Sequence, residues 1–443
     1  MKRERAALVL GALGTLVGLS VAELGSDPTP WKVGPATPRG VLGPLVRAAD
    51  GEWDPGLLRA IAVLGGVVVV LALIAVLFVR DRRWRCGIVV GATVAVVCAL
   101  LVPATLLQIG LRDGTAPWFH TNDSVYQIEI AGDLVLGGTS PYGRDYTSTG
   151  MERIYDLDGT TPDPGREIVA LGHFPYFPGM ALFGAAARVL PSPFDDVRFA
   201  VLLCTLALLP AAMLLRGPFA VRLVVGAVLA ANPLAVRAAW FGTADAPALL
   251  ALVLAFACAQ RRRFTGALAL VGVAMVLKQF AALAVPFLLL EAWRVGGRQA
   301  VARPLLALVL VVVVPSLPFV IADPAAFWDD TITFGAETYR VIGYGLAGIL
   351  VNGGVIDRTG SYPFPLIALV TWVPATIALL VAQRRNPAPW LPAAGFAASM
   401  FLLVFIARVF QTSYLVYPLA GIAIAAVAAA RPAPSPEPSS IRP

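Results

Sequence analysis

Residues 58–79, LRAIAVLGGVVVVLALIAVLFV, hold a single charged side chain, Arg59, and it lies in their first turn. At about 1.5 Å per residue such a helix is as long as the hydrocarbon layer is thick, so the run reads as a membrane span. The rest of the chain agrees. Of its 443 residues 58% are hydrophobic and 14% charged, with a mean hydropathy of +0.78, far too apolar for a soluble domain of this size. The net charge of +7 does not indicate nucleic acid, because the bases sit in short links between apolar runs and not beside stacking aromatics. Cys86, Cys98, Cys204 and Cys258 lie in or beside apolar runs with no metal-ligand spacing, so they imply neither a disulfide nor a metal site.

Outward from this run, further spans are expected at 6–22, 87–110, 196–215, 219–236, 244–260, 304–322, 363–383, 389–407 and 413–430. The first has the basic start of a signal peptide but reads as an uncleaved span. An apolar region at 264–291 is interrupted by Lys278-Gln279, and its halves read as a helical pair whose turn dips into the outer half of the bilayer. The expected fold is therefore an all-α polytopic membrane protein of about twelve membrane segments, with interfacial helices in its outer loops. Residues 1–430 form one integral membrane domain, and the Pro/Ser-rich 431–443 is a disordered cytoplasmic tail. No repeat of fixed period is visible.

The links on one side carry Lys2, Arg3 and Arg5, Arg80 to Arg85, Arg261 to Arg263, Arg294, Arg298, Arg303, Arg384 and Arg385, against only Glu4, Asp81 and Glu291 within the domain. The positive-inside rule makes this side, with both termini, cytoplasmic. Three Gly/Pro-punctuated loops, 23–57, 111–195 and 323–362, then face outward.

The second of these loops begins its chemistry at Phe119–Gly143, FHTNDSVYQIEIAGDLVLGGTSPYG. Thr121 or Asn122 can cap a helix, Gly137-Gly138 can end it, and Asp123 falls at its start, where the helix dipole favours a negative charge. Val125, Tyr126, Ile128, Ile130, Leu134 and Val135 would face the membrane interface, with Glu129 and Asp133 as a polar edge. Asp123 can act there as a base toward a hydroxyl, or simply serve as a first-turn acid. Downstream, His173, Tyr176 and two prolines make a rigid entry to the membrane in GHFPYFPG. His120, His173 and Asp123 would suffice as metal ligands on paper, but hydrogen-bonding roles fit their separation better. Elsewhere on the outer side stand Arg237, Asp245, Lys278, Gln279, Arg408, Gln411, Tyr414 and Tyr417. Such residues either snorkel to the headgroups or hold an anion at the bilayer surface.

The string Asn122-Asp123-Ser124-Val125-Tyr126, followed by Leu136-Gly137-Gly138-Thr139-Ser140-Pro141-Tyr142, resembles the first large outer loop of actinobacterial polyprenol-phosphate-sugar-dependent glycosyltransferases of the GT-C superfamily, in their α-mannosyltransferase-like branch. Phe177-Pro178, Asn232-Pro233-Leu234, Gly242, Asp245, Lys278 and Val409-Phe410-Gln411 before Tyr414-Leu415-Val416-Tyr417-Pro418 extend the likeness over about 87–430. It differs in having Asn122 and Ser124 beside Asp123 where a second acid is common, in Gly242-Thr243-Ala244-Asp245, and in the two spans that precede 87–110. The resemblance implies a GT-C-like bundle in the plasma membrane and an inverting enzyme of the cell envelope, acting in lipoglycan synthesis. It implies a polyprenyl-phosphate sugar, mannose before other hexoses or pentoses, as donor, and a glycan or glycolipid as acceptor. Asp123 would be the general base. Lys278, Arg408 and Arg237 would hold the donor phosphate, with Asn122, Tyr126, Tyr142, His173, Tyr176, Asp245, Gln279, Gln411 and Tyr414 around the substrates. No cofactor is expected, and divalent-metal dependence stays open.

Two other classes compete. A transporter or flippase for a lipid-linked or anionic substrate would equally use buried bases and broken helices, though it does not explain an acid-bearing outer helix. A partner-binding scaffold without chemistry is the third.

Overall fold

The computed structural model describes residues 1–25, 34–155, 171–338 and 341–431. The tail expected to be disordered lies, from residue 432 on, outside the described residues, as do parts of the three outer loops. The described chain is mostly helical, with almost no strand. Its main helices are α1 (Arg3–Ser20), α2 (Pro55–Phe78), α3 (Arg82–Asp113), α4 (Asp123–Leu136), α5 (Pro178–Arg188), α6 (Val197–Met213), α7 (Phe219–Ala231), α8 (Pro233–Phe241), α9 (Ala246–Ala259), α10 (Phe264–Leu277), α11 (Val285–Gly296), α12 (Gln299–Ala322), α13 (Phe364–Arg385), α14 (Leu391–Ile406) and α15 (Val416–Ala429). Two links between helices meet as a two-residue parallel ladder, β1 (Ile342–Gly343) with β2 (Val409–Phe410).

Among the described residues, seven helical segments are long and apolar enough to cross a membrane: Arg3–Glu23, α2, α3, Gln279–Gly296, α12, α13 and Thr412–Ala429. The pair α7–α8 makes an eighth if it is counted as one span. Four apolar helices, α6, α9, α10 and α14, are shorter. The boundaries follow local chemistry. Asp54 caps α2 by accepting from the N–H groups of Gly56 and Leu57 at 2.8 and 3.0 Å, with Pro55 in the first helical position where no amide hydrogen is needed.

Three expectations change. The segment at 219–236 is not a straight span: it bends by 42° at Asn232–Pro233 and continues to Phe241. Proline lacks the amide hydrogen and blocks the preceding turn, and the Asn232 side chain restarts the helix by accepting from Ala235 N at 3.2 Å. The halves of 264–291 are also unequal. Lys278 takes an extended conformation, and the second half, a 3₁₀ segment Gln279–Ala284 followed by α11, runs to Gly296 and is long enough to cross.

The third change concerns α4. Its apolar side is not left open at an interface, because Val125, Ile128 and Ala131 are fully buried in protein. Gly132 and Gly184 let α4 and α5 touch backbone to backbone: a Cβ on Gly132 would stand 2.6 Å from Ala185 N, and one on Gly184 2.4 Å from Ile128 O. Glu129, expected on a polar edge, is buried as well. It pairs with Arg112, which α3 carries past the end of the expected span. Only Asp133 remains on the outside, bound to Arg188 at 2.9 Å.

Candidate functional site

The start of α4 is held rigidly. Asn122 is its cap, accepting from Val125 N at 2.9 Å, while its amide nitrogen donates to Phe241 O at the end of α8. Asp123 is half-buried in the first turn and accepts from Ser124 N at 2.8 Å. Below this turn lies a charged network. Arg112 reaches Glu129 at 2.5 Å and Asp196 at 2.9 Å, and the fully buried Arg198 pairs with Asp196 at 2.6 Å and donates to His120 O at 2.6 Å. Burial pushes the Glu129 carboxyl up, and Arg112 only partly offsets this. Burial acts on Asp196 in the same sense, but the two guanidiniums together hold its carboxyl well below the usual range.

From the Asp123-Ser124 turn the contacts run to a partly buried cation. Ser124 Oγ lies 2.6 Å from the hydroxyl of Tyr176, and Lys278 Nζ stands 4.9 Å from the centre of the Tyr176 ring. Lys278 ends α10, where the helix dipole favours a positive charge, and is 3.5 Å from Asp245 Oδ1. Asp245 also accepts from the Tyr417 hydroxyl at 3.1 Å. Gln279 donates to Pro175 O at 3.4 Å, and Phe280 packs edge-on against Tyr414. Four widely separated stretches, 122–126, 174–177, 278–280 and 414–417, thus come to one place.

Other expected residues have contacts of their own. Tyr126 donates to Thr149 O at 2.9 Å, and Tyr142 to Tyr176 O at 2.8 Å in a nest of Phe174, Phe319 and Phe327. Arg237 stacks on Phe241 at the end of α8. Arg408 is buried just before β2, where burial pulls its guanidinium pKa down, and Gln411 is exposed beyond that strand.

The two histidines part company. His120 binds Gly34 O through Nε2 at 2.7 Å, and burial keeps its imidazole pKa low. His173 instead turns Nδ1 to Asp330 Oδ1 at 2.8 Å, with Asp329 Oδ2 at 3.7 Å, and stacks on Phe334. Gly143 N donates to the other Asp330 oxygen at 2.9 Å, tying the segment after α12 to the loop after α4. Ser124, Asp329 and Asp330 escaped the sequence reading. The adjacent acids in Phe-Trp-Asp-Asp, inside an outer loop, were the available signal for the last two.

Fold and site together define a helical membrane protein with a polar centre assembled from its non-membrane links. No family model, curated protein or solved structure matches the chain.

Proposed function

We propose that the chain is an inverting glycosyltransferase of the plasma membrane that moves a sugar, mannose first, from polyprenyl phosphate to a glycan or glycolipid on the outer face. In this reading about twelve helical segments form a GT-C-like bundle, and the distribution of arginines supports cytoplasmic termini. One observation carries the proposal. Through Ser124 and Lys278, a single tyrosine, Tyr176, links the carboxylate-bearing start of α4 to a partly buried ammonium. A carboxylate in the turn that touches this tyrosine, and a cation over the tyrosine's ring, suit displacement of a phosphate from a sugar.

Asp123 would take the proton of an acceptor hydroxyl as its oxygen attacks the anomeric carbon. The bond from that carbon to the phosphate oxygen breaks, and polyprenyl phosphate leaves with the electron pair. Lys278, with Arg237 and Arg408, would stabilise the charge growing on the leaving oxygen. Asp245 keeps Lys278 neutralised until a phosphate competes for it.

Purified protein given a panel of polyprenyl-phosphate sugars should release polyprenyl phosphate, and Asp123→Asn should slow this by about 10²- to 10⁴-fold without unfolding. Full activity of Asp123→Asn would sink the assignment. The bend between α7 and α8 beside the Lys278–Asp245 pair favours a second reading, a transporter of an anionic or lipid-linked substrate. Movement of substrate across vesicles with no covalent product would select it.

A further inference from the structure

Among the described residues one group of side chains has the composition and spacing of a metal centre: His173, Asp329 and Asp330, whose ligand atoms lie within 4.8 Å of one another. Two of its separations, 2.8 Å from His173 Nδ1 to Asp330 and 3.7 Å to Asp329, fit two ligands that each stand about 2.1 Å from one ion. We propose that these three side chains form a divalent-cation site that clamps the outer segment following α12 onto the loop preceding α5.

The surroundings are those of a built centre. Gln127 donates to His173 O at 2.6 Å and fixes the backbone that presents the ring, Phe334 stacks on its face, and Gly143 N holds the second Asp330 oxygen. Asp330 is buried and Asp329 half-exposed, so the site has a fixed floor and an open entry. One imidazole and two carboxylates favour a first-row ion such as Zn²⁺ over Mg²⁺ or Ca²⁺, which prefer oxygen alone. With no cation, the imidazole donates to Asp330. With one, the ring takes the tautomer that carries its proton on Nε2 and offers the Nδ1 lone pair to the ion, and the three donors share the ion's charge. The ion thereby joins residues more than 150 positions apart in the chain.

The test uses the full chain in detergent, stripped with chelator and titrated with Zn²⁺, with bound metal counted by elemental analysis and unfolding followed by temperature. About one tightly held ion per chain is expected, with the midpoint raised by roughly 2–5 °C at saturation. His173→Gln and Asp329→Asn should each weaken binding by at least about tenfold and remove the thermal shift. Asp329 is exposed enough that its variant folds like the parent, so it decides the matter if Asp330→Asn fails to fold. Absence of a retained ion, or unchanged affinity in both His173→Gln and Asp329→Asn, overturns the proposal.

Discussion

The helices α12 and α15 are both apolar and both long enough, with α15's 3₁₀ lead-in, to cross a membrane, yet they are used in opposite ways. Of the most apolar window of Gln299–Ala322 only 6% is buried in the protein, against 56% for Thr412–Ala429. Part of the difference is side-chain size. α12 presents large aliphatic groups such as Leu306, Leu310 and Val314 to the outside, whereas α15 buries Ala420, Gly421, Ala423, Ala425 and Ala428 against its neighbours. Lipid tails solvate leucine as well as a protein core does, so hydropathy places a helix in the membrane without deciding where it sits in the bundle. Small residues decide that, by letting backbones approach. Gly132 and Gly184 do the same between α5 and α4, the helix that begins at Asp123.

The contrast can be broken most severely on its packed side. Arg198→Met removes the buried guanidinium that pairs with Asp196 and supports His120 O, and should cost about 3–5 kcal/mol, read as chemical unfolding in micelles. Next comes Gly421→Leu. A Cβ there already meets Ala397 Cβ at 2.8 Å and Ala393 O at 2.9 Å, so overpacking should cost about 1–3 kcal/mol in the same measurement. Val314→Ala on the outer face of α12 should change stability by less than about 0.5 kcal/mol. A large loss from Val314→Ala would mean that a second protein surface covers α12.

What could be read from the chain was local. Apolar runs gave the helices within a few residues, and the Asn122 cap and the Gly137 stop were each visible as a residue type in the right place. Pro233 announced a break that the run of apolar residues around it concealed. The unread part was the pairing of distant polar groups. Glu129 looks like any exposed helix acid until α3 delivers Arg112 to it, and nothing near His173 points to an acid 157 residues on. The link from Ser124 to Tyr176 and Lys278 is equally invisible, because it depends on how three helices end in space.

The ladder of β1 and β2 is only two residues long, but its topological effect is large. Pairing Ile342 with Val409 and Gly343 with Phe410 closes a ring of chain that contains α13 and α14. Gly343, at φ +105°, is what lets the two backbones meet, since a Cβ there would fall 1.7 Å from Phe410 O. With the ring tied at its neck, the link that bears Arg408 and Tyr414 is coupled to the segment at 341–362. A movement that leaves this ladder paired carries both links together, and one that separates them must break it first.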